Sequence, residues 1–236
     1  MGKIKDRFSH FTRGEKILWS VSVLLILTSF FLFDRVNYMT LFSSLLAVTA
    51  IIFVAKGDPL GQLLFIFFEI FYALISLSYA YYGETITYLC MSLPMSVLAV
   101  VSWLRNPYQG NKKEVTVNRI GKKEVFLMLL ADAAVSVVFY FLLGWLGTSN
   151  LWVSTFSVST SFAAAYLTMR RSPFFAFGYA INDIVLVILW TLAAIDDIKY
   201  ISVVVCFAAF FSNDMYSFIN WRRMERKQRQ NIQKSI

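Results

Sequence analysis

Eight long apolar runs constrain the fold of this chain more than any other feature. Each approaches the length of about 20 apolar residues that a helix needs to cross a bilayer. Only 15% of all residues are charged and 58% are apolar, whereas about a quarter of the residues in soluble domains are charged. We therefore predict an all-α integral membrane protein with eight transmembrane helices, at approximately residues 17–33, 38–55, 60–82, 86–103, 124–146, 150–168, 173–195 and 199–221.

The placement of lysine and arginine predicts the orientation. The segment 104–123 is the only long polar stretch inside the chain, and it carries six basic residues against one acid, Glu114. If the N-terminus is cytoplasmic, only Arg35 and Lys199 of the 22 basic residues fall outside. The outer loops then hold acids instead, namely Asp34, Glu84, Asp196 and Asp197. Because basic residues are retained on the cytoplasmic side, we expect both termini there.

Landmarks that recur in the same order predict an old duplication of a four-helix unit. Asn37 and Asn150 open spans two and six, and Pro59 and Pro173 open spans three and seven. Gly-Glu-Lys before span one resembles Gly-Lys-Lys before span five, and Ser-Trp-Leu-Arg after span four resembles Asn-Trp-Arg-Arg after span eight. An even number of spans per unit gives a parallel repeat, with a site expected at the repeat interface. The predicted parts are an N-terminus (1–16), a first repeat (17–103), a basic loop (104–123), a second repeat (124–221) and a basic tail (222–236).

Several function classes are excluded or disfavoured. The basic residues lie between and beyond the apolar runs and form no basic helix, which argues against a nucleic-acid-binding function. His10 is the only histidine, and Cys90 and Cys206 lie inside apolar runs, so we expect no metal site, no cofactor and no disulfide. An intramembrane enzyme needs a nucleophile beside a base, and Asp132 and the other intramembrane aspartates have no histidine to support them. We predict that the protein is not an enzyme.

Polar side chains at membrane depth mark candidate functional faces, because they are costly when they face lipid. In span three a polar and aromatic face consists of Gln62, Phe65, Glu69, Tyr72, Ser76 and Tyr79, spaced by three and four residues. It is either a cavity wall or a packing stripe with Glu69 paired. In span six, a comparable face of Asn150, Ser154, Ser157, Ser161 and Thr168 is more typical of close helix packing. Asp132 in span five fits packing or pairing as well as function.

Spans seven and eight add carboxamides and aromatic rings. Span seven carries Asn182, Asp183 and Trp190, and span eight carries Asn213 and Tyr216. Carboxamides for hydrogen bonding, rings for stacking and an absence of intramembrane cations favour an uncharged or cationic aromatic solute. The two tryptophans beside basic residues, Trp103 and Trp221, are interpreted as interfacial anchors, and the tail 222–236 as a solvated anchor at the lipid surface.

Together these residues resemble the PnuC family of bacterial vitamin transporters, from about residue 14 to 227. The resemblance is carried by Gln62 opening span three, Tyr81-Tyr82-Gly83-Glu84 at its outer end, SWLRNPYQGN after span four, Asn182 to Trp190, and NxxY at Asn213–Tyr216. It implies a SWEET-like core of three plus one plus three helices behind an extra first helix, commonly as a homotrimer in the bacterial inner membrane. It also implies facilitated diffusion of nicotinamide riboside, a precursor of NAD, with trapping by a separate cytoplasmic kinase.

The family's WxxW motif is incomplete, with Val100 at its first position and only Trp103 retained. This departure leaves open the relatives that carry riboflavin, thiamine or deoxynucleosides. The expected substrate-binding residues are Gln62, Glu69, Tyr72, Asn182, Asp183, Trp190, Asn213 and Tyr216. In this hypothesis the amides hold polar edges of the solute, the rings stack on it, and Glu69 or Asp183 lies near its positive charge. In the alternative, a proton-coupled carrier, Glu69 or Asp183 relays the proton.

Overall fold

The computed structural model describes residues 11–78, 82–148 and 150–234, which form a helical bundle. Its helices are α1 (Arg13–Asp34), α2 (Tyr38–Ala55), α3 (Pro59–Ser78), α4 (Tyr82–Leu104), α5 (Lys122–Trp145), α6 (Leu151–Met169), α7 (Phe175–Asp196) and α8 (Ile201–Lys234). In this described part of the chain, seven helices are long and apolar enough to cross a membrane. The exception is α6, where Ser and Thr make up seven of the 19 residues. The prediction of an all-helical membrane protein is confirmed, and the eighth span stays a prediction.

The helices pack as two groups of three, which we call the first triplet (α2–α4) and the second triplet (α6–α8), together with α1 and α5. In the first group α3 contacts both α2 and α4, and in the second α7 contacts both α6 and α8. Between the groups, α8 packs on α2, and α4 packs on α6. Helix α1 packs on α2 and α8, whereas α5 packs along α6 and leaves its other side chains, such as Phe126 and Phe141, exposed on an apolar surface suited to lipid.

The two ends of the bundle differ in charge. The end that holds the segment 104–123 and the last turns of α8 carries most of the basic residues, and we call it the basic end. The opposite end carries Asp34, Glu84, Asp196 and Asp197, and we call it the acidic end. The predicted positions His10, Tyr79 and Tyr81 lie outside the described residues.

Two turns at the basic end have the same construction, 114 residues apart. Gly57 and Arg171 follow α2 and α6 with φ angles of 69° and 57°, in the left-handed region. The next amide in each case closes the helix end, from Asp58 N to Phe53 O at 3.0 Å and from Ser172 N to Leu167 O at 2.9 Å. This is a common way to satisfy the last carbonyls of a helix. Helix α3 begins at Pro59 as predicted, whereas α7 begins two residues after Pro173.

Helix α4 begins earlier than predicted and contains a wide turn. Tyr82, Gly83 and Glu84 form its first turn, so the prediction that they end span three was wrong. Thr87–Ser92 is a π-helical turn that precedes Pro94. Pro94 has no N–H to donate and its ring crowds the preceding turn, which favours such a widening. The extra residue rotates the helical face relative to a regular α-helix.

The basic end is more structured than predicted. The loop after α4 forms a small antiparallel sheet of β1 (Pro107–Tyr108) and β2 (Asn111–Val115). Helix α8 continues through the predicted tail to Lys234 instead of ending near Trp221. Trp103 and Trp221 are fully buried, so their interpretation as interfacial anchors was wrong. Their rings lie 5.3 Å apart, and each indole donates a hydrogen bond to a helix-end carbonyl of the other group, Thr168 O at 2.9 Å and Val54 O at 2.8 Å.

Candidate functional site

A cavity of about 470 Å³ opens at the acidic end, within the size range of sites for small organic ligands. It lies between the first turn of α4, the α5–α6 connection and the last turns of α7. Its lining consists of Tyr82, Gly83, Glu84, Leu146, Gly147, Thr148, Asn150, Ser154, Leu189, Trp190, Leu192, Ala193, Asp196, Asp197 and Tyr200. Three of these side chains are carboxylates, and none is lysine or arginine. A positively charged ligand is therefore favoured over a negatively charged one.

Aromatic rings form the inner wall of the cavity. The rings of Trp190 and Tyr200 both line it, with centroids 5.4 Å apart. Behind Trp190 lies a buried cluster that includes Phe68, Tyr72 and Phe210. Tyr88, from the π-helical turn of α4, packs on Tyr72 with ring centroids 4.5 Å apart. Stacking on these rings would suit a flat aromatic cation, since ring faces attract positive charge.

Two buried pairs of side chains, each containing at least one acid, lie on the helices that continue inward from this cluster. Ser96 Oγ donates to Glu69 Oε1 at 2.7 Å, and the buried carboxyl groups of Asp183 and Asp214 are neighbours. Two neighbouring carboxylates repel each other when both are ionised, so a proton or a cation nearby would stabilise this pair. The hydroxyl of Tyr179 lies within electrostatic range of Glu69, Asp183 and Asp214, which places both pairs around one region. We call these four residues, Glu69, Ser96, Asp183 and Asp214, the acid layer.

The acid layer follows the spacing of the recurring landmarks. Glu69 and Asp183 are 114 positions apart, as are Pro59 and Pro173. Ser96 and Asp214 are 118 positions apart, as are Trp103 and Trp221. Each group of three helices therefore contributes one acid from its middle helix and one partner from its last helix.

Asn182 lies beside Asp183 but faces α6. Its Oδ1 accepts hydrogen bonds from Thr160 at 2.8 Å, Ser161 at 3.0 Å and Ser157 at 3.4 Å. On α6, Ser159 donates to Asp132 of α5 at 2.9 Å. The hydroxyl-rich α6 thus binds its two neighbours, which confirms the packing interpretation at Ser157 and Ser161.

The two NxxY residues contact α1. Asn213 Nδ2 donates to Ser22 Oγ at 2.8 Å, and Tyr216 donates from its hydroxyl to Glu15 Oε1 at 2.8 Å. The buried Glu15 also accepts from Lys56 Nζ at 3.0 Å. Within the described part of the chain, these contacts fasten the first helix to α8 and α2.

The structure therefore distributes the eight predicted residues over several places. Trp190 lines the cavity and Tyr72 lies in the cluster behind it, while Glu69 and Asp183 belong to the acid layer. Asn182, Asn213 and Tyr216 bind neighbouring helices, and Gln62 is buried in the first turn of α3. Sequence reasoning missed the roles of Glu84, Tyr88, Ser96, Asp196, Asp197, Tyr200 and Asp214. The 118-residue spacing could have found Ser96 and Asp214, whereas the π-helical turn that orients Tyr88 left no periodic signal.

Known proteins share both sequence and fold with this chain. The family described as "Nicotinamide mononucleotide transporter" matches residues 37–223. The nicotinamide riboside transporter PnuC of Neisseria mucosa is 21% identical over 227 residues, which cover 94% of this chain and 86% of that protein. A crystal structure of the vitamin B3 transporter PnuC matches with a TM-score of 0.79 at 18% identity, covering 92% of this chain and 94% of the other. The resemblance inferred from the sequence motifs is confirmed.

Proposed function

The chain belongs to the nicotinamide mononucleotide transporter family, and we propose that it imports nicotinamide riboside across a bacterial inner membrane by facilitated diffusion. A separate cytoplasmic kinase would then trap the solute by phosphorylating it. The observation that carries this proposal is the cavity at the acidic end, with three carboxylates, two tyrosines and Trp190 in its lining. The relatives named above are transporters, which also favours transport over catalysis.

The charge of the cavity favours the riboside over the mononucleotide. Nicotinamide riboside is a cation with an aromatic ring, a carboxamide and ribose hydroxyls, whereas the mononucleotide adds a phosphate. Proteins bind phosphate mainly through arginine, lysine and main-chain amides. Among the described residues, the cavity lining contains no arginine or lysine, and Glu84, Asp196 and Asp197 would repel the phosphate.

The proposed architecture is the SWEET-like core of the resemblance. Helices α2–α4 and α6–α8 are the two triplets, α5 links them, and α1 is the extra helix. The matching turns at Gly57 and Arg171 and the exchanged indole bonds of Trp103 and Trp221 support a parallel duplication. The basic end would face the cytoplasm with both termini, by the retention of basic residues on that side. A homotrimer is proposed from the resemblance alone.

In the proposed cycle the solute enters the cavity from outside and stacks on Trp190 and Tyr200. Rocking of the two triplets then moves it past the aromatic cluster to the acid layer. Glu69 and Asp183 would balance its positive charge at membrane depth, where an unpaired cation is costly. The proposed roles of Gln62, Asn182, Asn213 and Tyr216 at the solute stay predictions.

A proton-coupled carrier is the alternative that one observation favours. Asp183 and Asp214 are buried neighbours that could share a proton inside the membrane, and a cationic solute bound beside them would favour release of that proton. Facilitated diffusion and coupling differ in their response to an imposed pH gradient.

Uptake by purified protein in proteoliposomes tests the proposal. We expect entry of labelled nicotinamide riboside without any kinase or gradient, up to equal concentrations on both sides, with no competition from the mononucleotide. Absence of riboside entry, together with entry of labelled riboflavin, thiamine or deoxyadenosine, would show that the substrate is another solute of the family. Accumulation above the external concentration that an uncoupler abolishes would establish the coupled alternative.

A further inference from the structure

The end of α8 has a buried polar face that a free basic tail would not have. Glu225 and Gln228 lie beyond Trp221, in a stretch of the chain dominated by arginine and lysine, and both are almost fully buried. They are covered by residues 114–119 of the loop between α4 and α5, which we call the strap. A buried carboxylate and a buried amide each need partners, and the strap supplies them.

Gln228 binds the main chain of the strap much as a neighbouring strand would. Its Oε1 accepts from Val117 N at 2.9 Å, and its Nε2 donates to Val115 O at 3.1 Å. The same Nε2 also donates to Glu114 Oε1 at 2.9 Å. One side chain therefore makes three hydrogen bonds to the strap.

Glu225 provides a second attachment between α8 and the strap. Its carboxylate receives a hydrogen bond from Arg119 of the strap and another from Arg222 of its own helix, the latter at 2.7 Å. Both residues are arginines, but only Arg119 connects α8 to the strap, whereas Arg222 lies over the ring of Phe174, 5.3 Å from its centroid. Their comparison separates a contact to the strap from a contact within the helix.

The strap also joins the two triplets through their matching turns. Val115 N donates to Gly57 O after α2, and Asn118 N donates to Arg171 O after α6, both at 3.0 Å. Arg171 Nε donates back to Thr116 O at 3.1 Å. The strap therefore crosses the basic end from one triplet to the other, and α8 holds it from the side.

Beneath the strap the bundle is closed by buried rings. Phe175 and Trp221 lie 4.9 Å apart, and Trp103 lies 5.3 Å from Trp221. All three side chains are fully buried, while the cavity opens at the opposite end. Separation of the triplets at the basic end must move Gly57 and Arg171 apart, so the strap cannot keep all its bonds when that end opens.

We propose that the strap and the end of α8 form a latch that holds the cytoplasmic end closed, and that release of the strap from Glu225 and Gln228 accompanies inward opening. The orientation of this latch rests on the proposed function. Arg119, Glu225 and Gln228 are positioning residues in this mechanism, because they act on the helix ends and not on the solute.

Cysteine labelling tests the latch without any solute. In a Cys90→Ala, Cys206→Ala background, Ala176→Cys places a thiol beside the buried rings, where Ala176 is fully buried. A membrane-impermeant maleimide added from the basic end reports opening. We expect Gln228→Ala to speed labelling about tenfold, because it removes three hydrogen bonds, and Arg119→Gln to speed it about three- to fivefold. The control Arg222→Gln leaves the strap contact intact and changes the rate less than about twofold.

A cross-link provides the converse measurement. Arg119→Cys with Glu225→Cys, joined by a bifunctional thiol reagent that a reductant can cleave, should stop riboside uptake while leaving riboside binding intact, and reduction should restore uptake. Equal labelling of the Gln228→Ala and Arg222→Gln variants would overturn the latch, as would full transport by the cross-linked protein. If the unmodified protein does not transport the riboside, the proposed function fails, but the labelling result still decides the latch.

Discussion

Removal of the Ser96 hydroxyl tests the acid layer most directly. Ser96 Oγ lies 2.7 Å from Glu69 Oε1, and both side chains are buried. Glu69 Oε2 makes no hydrogen bond within the described part of the chain, so Ser96→Ala would leave the carboxyl without any hydrogen-bond donor. Loss of a hydrogen bond to a buried acid costs about 2 kcal/mol. For a chain of this size, that corresponds to a lowering of the unfolding temperature by about 4–8 °C.

A second buried serine provides the matched control. Ser43 is buried, like Ser96, but its hydroxyl makes no hydrogen bond within the described residues. Ser43→Ala removes the same atom without removing a bond, so we expect no loss of stability, or a small gain as the buried hydroxyl is removed. Thermal unfolding of the detergent-solubilised variants, followed side by side, measures the difference. Equal unfolding temperatures for the two variants would refute the pairing of Ser96 with Glu69.

The duplication extends this reasoning to the other acid pair. Asp214 occupies the position that Ser96 holds in the first triplet, so Asp214→Ser would place a hydroxyl where the first triplet already pairs one with an acid. We expect Asp214→Ser to be more stable than Asp214→Ala by about 2 kcal/mol, since only the serine can donate to Asp183. If the two variants unfold together, the acid layer does not have equivalent halves.

The other predictions concern the cavity and the closed end. Glu84→Gln and Asp196→Asn should each weaken riboside binding about three- to tenfold at low ionic strength, with smaller losses in high salt, as titration calorimetry would show. Trp190→Ala should weaken binding at least tenfold, whereas Trp190→Phe should keep most of the affinity, because a ring face remains. Trp103→Phe and Trp221→Phe should each cost about 1 kcal/mol of stability, and the double variant should deviate from their sum because the two rings are in contact.

The sequence predicted the helices well because seven of the helices in the described residues are apolar over most of their length. Asn37 and Asn150 directly precede α2 and α6, and Pro59 opens α3, as predicted. The buried face of α3 with Glu69 and Tyr72 followed from spacing alone. These features depend on residues close together in the chain, where periodicity carries the information.

Contacts between distant residues were not predictable in the same way. Gln228 binds Val117 across 111 positions, and in isolation the sequence around Gln228 reads as a solvated basic tail. The NxxY motif likewise revealed polar groups at membrane depth but not their partners. The predicted roles of Asn213 and Tyr216 at the solute stay predictions, and in this structure the two side chains bind Ser22 and Glu15 of α1.

The bonds that close the basic end are individually modest, and the proposed facilitated diffusion would require this. Trp103 extends from the first triplet to Thr168 of the second, and Trp221 extends back to Val54 of the first. Separating the triplets breaks both bonds at once, which at about 1 kcal/mol each favours the closed state about thirtyfold. A carrier without an energy source must populate both states, so a much stronger closure would trap the solute on the outer side. The neutral indole bonds and the contact of the exposed Arg119 with Glu225 are each of the modest strength that such a carrier would need.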